Sequence, residues 1–371
     1  MMPARILFVD DEPAVLDSLA DVLRKERKRW DMSFASSARE ALDVLAASAF
    51  DIVVTDMRMP GMDGAQLLSR VKTAHPSITR IVLSGHADRD AVTRAIGVAH
   101  QFLSKPCDGA MLRSTIERVN ALRLRIESDE VKAVVGRIDQ LPSIPEAYHQ
   151  LTILAGDSTK GLSDVAHVIE SDTAMSAKVL QLVSSSYFGT RREVRSIHQA
   201  VGLLGVDLLK VLVLTANTFV AAANLQIEGV SLEDFQRFSI ASARAAQRMA
   251  RPALAEEAFT AALVHDIGKL VLALGRIDES EIGVTHAEIG SYLLGLWGLP
   301  FTILEAVAYH HTPSSMIDDQ RELVAIVHAA DVLVGGTGVL DEPFLAAAGL
   351  ADQLPTWRAI ATDCARAEGI A

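Results

Sequence analysis

Cysteine is almost missing from this chain. Cys107 and Cys364 stand far apart among 371 residues, which excludes a disulfide framework and a thiolate metal site and fits a reducing, cytoplasmic setting. An excess of positive charge is missing too: 35 Lys and Arg face 47 Asp and Glu, a formal charge of −12 with a pI near 5.4. A broad grip on nucleic acid needs concentrated Lys and Arg, so direct nucleic-acid binding is not expected. The basic cluster Arg24-Lys25-Glu26-Arg27-Lys28-Arg29 ends a predicted amphipathic helix and reads as a solvated face. A membrane span is not expected either, because the most apolar stretch, Val211 to Leu225, carries Thr215, Asn217 and Thr218 and reads as a buried helix. Met1 to Arg5 runs straight into a strand pattern, leaving no room for a signal peptide. A soluble, cytoplasmic protein is expected.

What is present is enough apolar residue for two packed domains: half the chain is hydrophobic and 22% is charged. Residues 5 to 125 alternate short apolar runs with amphipathic segments, beginning with Ile6-Leu7-Phe8-Val9 and Val15 to Leu23. Met32 to Ala35, Asp51 to Thr55, Ile81 to Leu83 and Gln101 to Leu103 continue the strand series. Ala38 to Leu45, Leu67 to Lys72, Ala91 to Ile96 and Met111 to Leu122 are the helices between and after them. Five strand–helix units predict an α/β domain of flavodoxin-like type, a parallel sheet with its site beyond the carboxyl ends of the strands.

The polar residues fall at those ends. Asp10 and Asp11 close the first strand, Asp56 the third, Ser84 the fourth and Lys105 the fifth. Three converging carboxylates repel one another unless a hard cation compensates them, and Mg2+ fits. Asp56 leads the loop Met57-Arg58-Met59-Pro60-Gly61-Met62-Asp63-Gly64 and is the best-placed nucleophile. Asp10 and Asp11 are then metal ligands, joined by the backbone carbonyl of Arg58. Lys105 and Ser84 are placed to meet the charge of an aspartyl phosphate.

The set Val9-Asp10-Asp11-Glu12, Thr55-Asp56-Met57-Arg58 through Gly64, Leu83-Ser84-Gly85 and Ser104-Lys105-Pro106 resembles the receiver domain of two-component response regulators. That resemblance covers about the first third of the chain. It implies Mg2+-dependent phosphorylation of Asp56 by a sensor histidine kinase, a cis Lys105-Pro106 bond, and a switch linking Ser84 to Phe102.

From Ile116 to Val135 apolar and charged residues alternate as in one helix leaving the first domain. Leu141-Pro142-Ser143-Ile144-Pro145 then punctuates the chain. Beyond it helical periodicity dominates, over Ala147 to Leu154, Leu162 to Glu170, Ala174 to Val183, Ile197 to Leu204 and Asp207 to Ala223, and an all-α domain is expected. The expected division is 1–122 for the first domain, 123–140 for the connector, 134–335 for the helical domain and 336–371 for a C-terminal helical extension. Trp357 and Leu354 predict that the extension packs on this chain or on a second copy, so a homodimer is one option.

His265-Asp266-Ile267-Gly268-Lys269, His286, His310-His311 and Asp331 form a candidate metal set for Zn, Fe or Mn. They resemble the His-Asp superfamily of metal-dependent phosphohydrolases. Leu141 to Glu146, Ile169 to Leu180, Ser186-Tyr187-Phe188-Gly189 and Ser196 to Gly205 narrow the resemblance to the HDOD family, a helical output module of bacterial signalling proteins. Two departures bear on chemistry. The superfamily's first His ligand is replaced by Phe238, and no Gly-Tyr-Pro follows Lys269. One arrangement of the rest has Asp266 bridging, with His265 and Asp331 on one side and His286, His310 and His311 on the other. Alternatively Lys269 and His286 are structural partners of Asp266. Three outputs follow: a module binding an unknown downstream signalling protein, a metal-dependent phosphodiesterase of a cyclic dinucleotide, or a nucleotide sensor without turnover. The missing ligand favours the first.

Overall fold

The computed structural model describes residues 3–370 except 86–93, 96, 139–140, 144–146, 148, 152–153, 155–160, 185–192, 216–218, 222–224, 317–320 and 337. Of 206–208, 210–215 and 219–221 it describes only the backbone. The expected segments Ser186 to Gly189 and Ile144 to Glu146, and most of the helix Ala91 to Ile96, lie outside the described residues.

Five strands, β1 (Ala4–Val9), β2 (Trp30–Ala35), β3 (Ile52–Asp56), β4 (Thr79–Gly85) and β5 (Gln101–Lys105), form one parallel sheet in the order β2-β1-β3-β4-β5. The central strand β3 is buried at all five residues, as expected where helices cover both faces. Helices α1 (Pro13–Val22), α2 (Ala38–Ala47) and α3 (Gly64–Ala74) connect the strands. Ser37 caps α2, and a capping box of Asp63 and Gln66 opens α3. The Arg and Lys residues of the basic cluster are all exposed, the solvated face expected. Arg24–Lys28 is a 3-10 turn, and its Glu26 is buried, accepting an ion pair from Arg113 Nε at 3.1 Å.

The connector is two helices where one was expected, α4 (Gly109–Arg125) and α5 (Asp129–Arg137). Ser128 accepts from the backbone N–H of Val131, with Asp129 and Glu130 in the first turn, so a new helix starts where the chain bends. Helix α5 folds back on the sheet domain: Arg80 Nη2 donates to Gly136 O at 2.7 Å, and any side chain at Gly136 would collide with Pro76 O.

The rest is helical, with two small strand pairs that the all-α expectation omitted. β6 (Leu141–Ser143) runs parallel to β7 (Phe219–Ala221), and β8 (Gln226–Ile227) pairs antiparallel with β9 (Val230–Ser231). The helices are α6 (Leu162–Glu170), α7 (Thr173–Val183), α8 (Ile197–Thr215), α9 (Leu232–Met249), α10 (Ala255–Leu263), α11 (Ile267–Gly275) and α12 (Glu279–Ile282). α13 (His286–Leu296), α14 (Phe301–Tyr309), α15 (Arg321–Val334), α16 (Glu342–Ala347) and α17 (Leu354–Ala367) complete the series. Gly205, at φ +71°, breaks α8 where two helices were expected. That region ends at Thr215, short of the expected Ala223, because Phe219–Ala221 is strand. Residues Ala255–Gly275 are long and apolar enough to cross a membrane by composition, but 78% of their most apolar window is buried in the core. The C-terminal extension packs on its own chain: α17 lies on α9 and α15 with Trp357 buried.

The two domains meet along α4 and α13. Leu122 fills the space a side chain at Gly295 would occupy, Gln101 Nε2 donates to Leu296 O at 3.0 Å, and Gln181 Nε2 donates to Ala99 O at 3.4 Å.

Candidate functional site

Two sites emerge, one per domain. At the carboxyl edge of the sheet Asp10 and Asp56 are buried and Asp11 is half-buried. Lys105 Nζ donates to Asp10 Oδ2 at 2.7 Å and pairs with Asp56 Oδ1. The N–H of Arg58 donates to Asp56 Oδ2 at 2.6 Å. Gly64 permits the loop to close: a Cβ there would collide with Asp56 O. Burial pushes the Asp56 carboxyl upward despite the Lys105 contact. Burial pulls the Lys105 ammonium down, but the hydrogen bonds it donates to Asp10 and Asp56, with their charges, outweigh that and leave the group raised. Ser84 Oγ is buried without a hydrogen-bond partner, a hydroxyl held ready for an acceptor. Phe102 is buried on β5 in register with Val82, two residues before Ser84 on β4, and Lys105-Pro106 is cis. The edge thus gathers Asp10, Asp56, Ser84 and Lys105 as expected. Its carboxylates and orphan hydroxyl suit a hard cation with a phosphoryl group.

The second site lies where α11, α13, α14 and α15 converge. Asp266 Oδ1 lies 3.2 Å from His286 Nε2 and 3.6 Å from His310 Nε2. His265 Nε2 stands 3.4 Å from Asp266 and 3.5 Å from Asp331. His311 Nδ1 is 3.7 Å from Asp331, and its Nε2 is 3.1 Å from His286 Nε2. Three rings are held from behind: His265 Nδ1 on Ala262 O at 2.6 Å, His310 Nδ1 on Val307 O at 2.7 Å, and His286 Nδ1 on Glu279 at 2.9 Å. Those contacts turn each Nε2 inward, as outer-shell partners of metal-binding imidazoles do. His265 Nε2, His310 Nε2, Asp266 Oδ1 and Asp331 Oδ2 are buried without hydrogen-bond partners, so the donor set fits a cation.

Among the described residues three groups have the spacing of metal ligands: Asp266, His286, His310 and His311; His265, His310 and Asp331; and Glu228, Glu279 and His286, the last at the edge with Glu228 exposed. His310 belongs to the first two groups, while Asp266 presents Oδ1 to His286 and His310 and Oδ2 to His265, the placement a bridging carboxylate would need. Phe238 sits against the cluster, its ring 6.0 Å from that of His265. Burial opposes charge on His265, yet Asp266 and Asp331 raise its pKa to about 9. His311 is lowered to about 4 by burial and by His310. Lys269 Nζ reaches Asp266 Oδ2 at 3.0 Å, so Lys269 and His286 are also partners of Asp266.

Several supporting residues were not anticipated. Gly268 lets α11 abut the start of α13, where a Cβ would collide with His286 O, and its place in His265 to Lys269 was the available signal. Gly336 allows the chain to wrap Asp331, and Glu279 orients His286 from seven residues away. Nothing in the local sequence marks either one.

Comparison with known proteins agrees with this division. A family model for the response regulator receiver domain matches residues 6–117, the HDOD domain model matches 141–281, and the HD domain model matches 239–335. The chain is 35% identical over 120 residues to the uncharacterized transcriptional regulatory protein YesN of Bacillus subtilis (strain 168), covering 32% of each chain. It is 27% identical to the transcriptional regulatory protein ZraR of Escherichia coli (strain K12), over 54% of this chain and 53% of that one. It therefore spans about a third to a half of the length of these relatives. A virulence factor from Campylobacter jejuni subsp. jejuni shares the fold of 65% of this chain and 97% of its own, with a TM-score of 0.51 and 19% identity.

Proposed function

This chain joins a response regulator receiver domain to an HDOD and HD-type helical domain, and on that premise we propose that phosphorylation of Asp56 by a sensor histidine kinase controls a helical domain acting by protein–protein interaction. The observation that carries the reading is the buried Asp56 carboxylate paired to Lys105, with Ser84 Oγ unpartnered on the neighbouring strand.

Asp10, Asp11, Asp56 and the Arg58 carbonyl would hold Mg2+, which when bound offsets the charge of the transferring phosphoryl group. An Asp56 oxygen attacks phosphorus while the bond to the donor nitrogen breaks. Lys105 moves from its present carboxylates onto a phosphoryl oxygen, and Ser84 donates to another. Ser84 lies in register with Ser104 on β5, and Gln101, at the other end of that strand, bonds Leu296 of the helical domain. Repacking along β4 and β5 therefore acts on the domain contact. Acetyl phosphate labelling tests the acceptor. The wild type takes up one phosphoryl group and Asp56→Asn takes up none; labelling that persists in the variant contradicts the assignment.

A binding output is favoured over hydrolysis because Phe238 supplies no ligand and two of the candidate groups share His310; two-metal chemistry needs both sites and a held water. The inward Nε2 atoms of His265 and His310 favour a second reading, a single-metal centre of Zn, Fe or Mn, as a phosphodiesterase or nucleotide sensor. Metal analysis and turnover with wild type and Asp266→Ala decide it. Bound metal lost in the variant supports the centre, and its absence from the wild type ends that reading.

A further inference from the structure

Between the domains lies a cavity of about 580 Å3 unrelated to either site's chemistry, within the range that small-molecule sites occupy. One wall is Leu122, Arg125 and Ile126, at the end of α4; the other is formed by α13, α14 and the turn after α14. Its polar groups are unevenly spent. The Glu288 carboxylate is engaged by the N–H and hydroxyl of Thr285, at 2.9 and 3.0 Å, and Ser291 Oγ donates to Leu304 O at 3.0 Å. Among the described residues, the guanidinium of Arg125 makes no ion pair or hydrogen bond, and neither do the hydroxyls of Tyr309, Thr312 and Ser315. The unused groups are thus one fixed cation and three hydroxyl donors around an apolar floor of Leu122, Ile126 and Ala308. A guanidinium with nearby hydroxyls suits a phosphate group, and the aromatic ring of Tyr309 suits a planar ring.

We propose that this seam cavity is a binding site for a phosphate monoester carried on a planar ring, of mononucleotide size, held by Arg125 at the end of the connector helix α4 and by Tyr309, Thr312 and Ser315 of the helical domain. Such a ligand is gripped from both sides of the joint, so it stabilises the docked arrangement by its differential affinity for it. The same walls carry Thr285, Tyr309 and Thr312, immediate chain neighbours of His286, His310 and His311. Occupancy therefore also tightens the segments that place those rings.

Titration calorimetry on the full chain with adenosine monophosphate, adenosine and inorganic phosphate tests the site. The monophosphate is expected to bind at least about tenfold tighter than either other probe, each of which supplies only half of the recognition. Arg125→Gln, at an exposed position, should remove that preference, and Ala308→Trp should block the cavity. Asp266→Ala is expected to keep the preference for the monophosphate over adenosine while its absolute affinity shifts through the shared segments, which separates phosphate recognition here from the His–Asp centre. Thermal melts confirm that each variant folds; should Ala308→Trp fail to fold, Arg125→Gln still decides. The proposal is overturned if no probe saturates at millimolar concentration, if adenosine binds the wild type as well as the monophosphate does, if the monophosphate preference survives Arg125→Gln, or if that preference is lost in Asp266→Ala.

Discussion

Gly268 and His100 show how single residues set what these domains tolerate. Replacing Gly268 by Ala drives a methyl group into the carbonyl of His286, and forced overpacking of this kind costs about 1–3 kcal/mol. We expect Gly268→Ala to lower the melting temperature and to weaken metal binding to the Asp266 and His286 set, both read on the same sample by calorimetry. An unchanged melt would mean that α11 and α13 do not meet as closely as described. His100 is wholly buried, and burial, followed by the charges of Arg80, Lys178, Arg123 and Lys72, holds its pKa well below 6.5. Its Nδ1 accepts from the Arg80 N–H at 3.0 Å. The folded protein keeps this ring neutral, whereas the unfolded chain binds a proton as pH falls through about 6.5. The unfolded state then holds more protons, so this contribution to stability declines below pH 6.5. His100→Gln should flatten that decline in denaturant titrations between pH 5 and 7, and an equally steep slope in the variant would refute the assignment. At this scale Asp10, Asp56, Ser84 and Lys105 were legible because each ends an apolar run. Glu279 and Gly336 were not, since what they do depends on contacts across helices.

At the scale of elements, α13 connects the histidine cluster to the sheet domain. It begins with His286 in the histidine cluster and ends with Leu296, whose carbonyl receives Gln101 of the sheet domain. An 11-residue helix is stiff over its length of about 16 Å, so a displacement of its receiver end reaches His286. Leu122, lodged against Gly295, holds it in place. Leu122→Ala should destabilise the chain by about 2–3 kcal/mol, as for other buried large-to-small changes, and should speed hydrogen exchange across residues 286–298. Exchange there that matches the wild type would show that this contact does not position the helix. Elements were legible wherever burial is continuous, as in β3. The break between α4 and α5 was not, because Ile126 and Val131, both buried, continue the apolar periodicity across it and only Ser128 signals a restart. The β6–β7 pair escaped notice for a different reason: its two strands are three residues each and their partners lie 78 positions apart, so their pairing is a long-range event.

The whole molecule is a sheet domain and a helical domain tied by polar bonds through main-chain carbonyls, Arg80 to Gly136 and Gln101 to Leu296. Such bonds are directional and break when the partners shift by an ångström or so, which suits a contact that must respond to phosphorylation. The division into an α/β and a helical domain followed from the change of hydrophobic period, but the way they dock did not, since no local pattern encodes which faces meet. The C-terminal helix resolved onto α9 and α15 for the same reason only in three dimensions. The central claim is that a phosphoryl group on Asp56 alters this docking. Its most direct test is hydrogen–deuterium exchange over residues 286–298 with and without beryllofluoride and Mg2+, in wild type and in Asp56→Asn. A change in exchange confined to the wild type is the predicted result; no change, or the same change in Asp56→Asn, would contradict it.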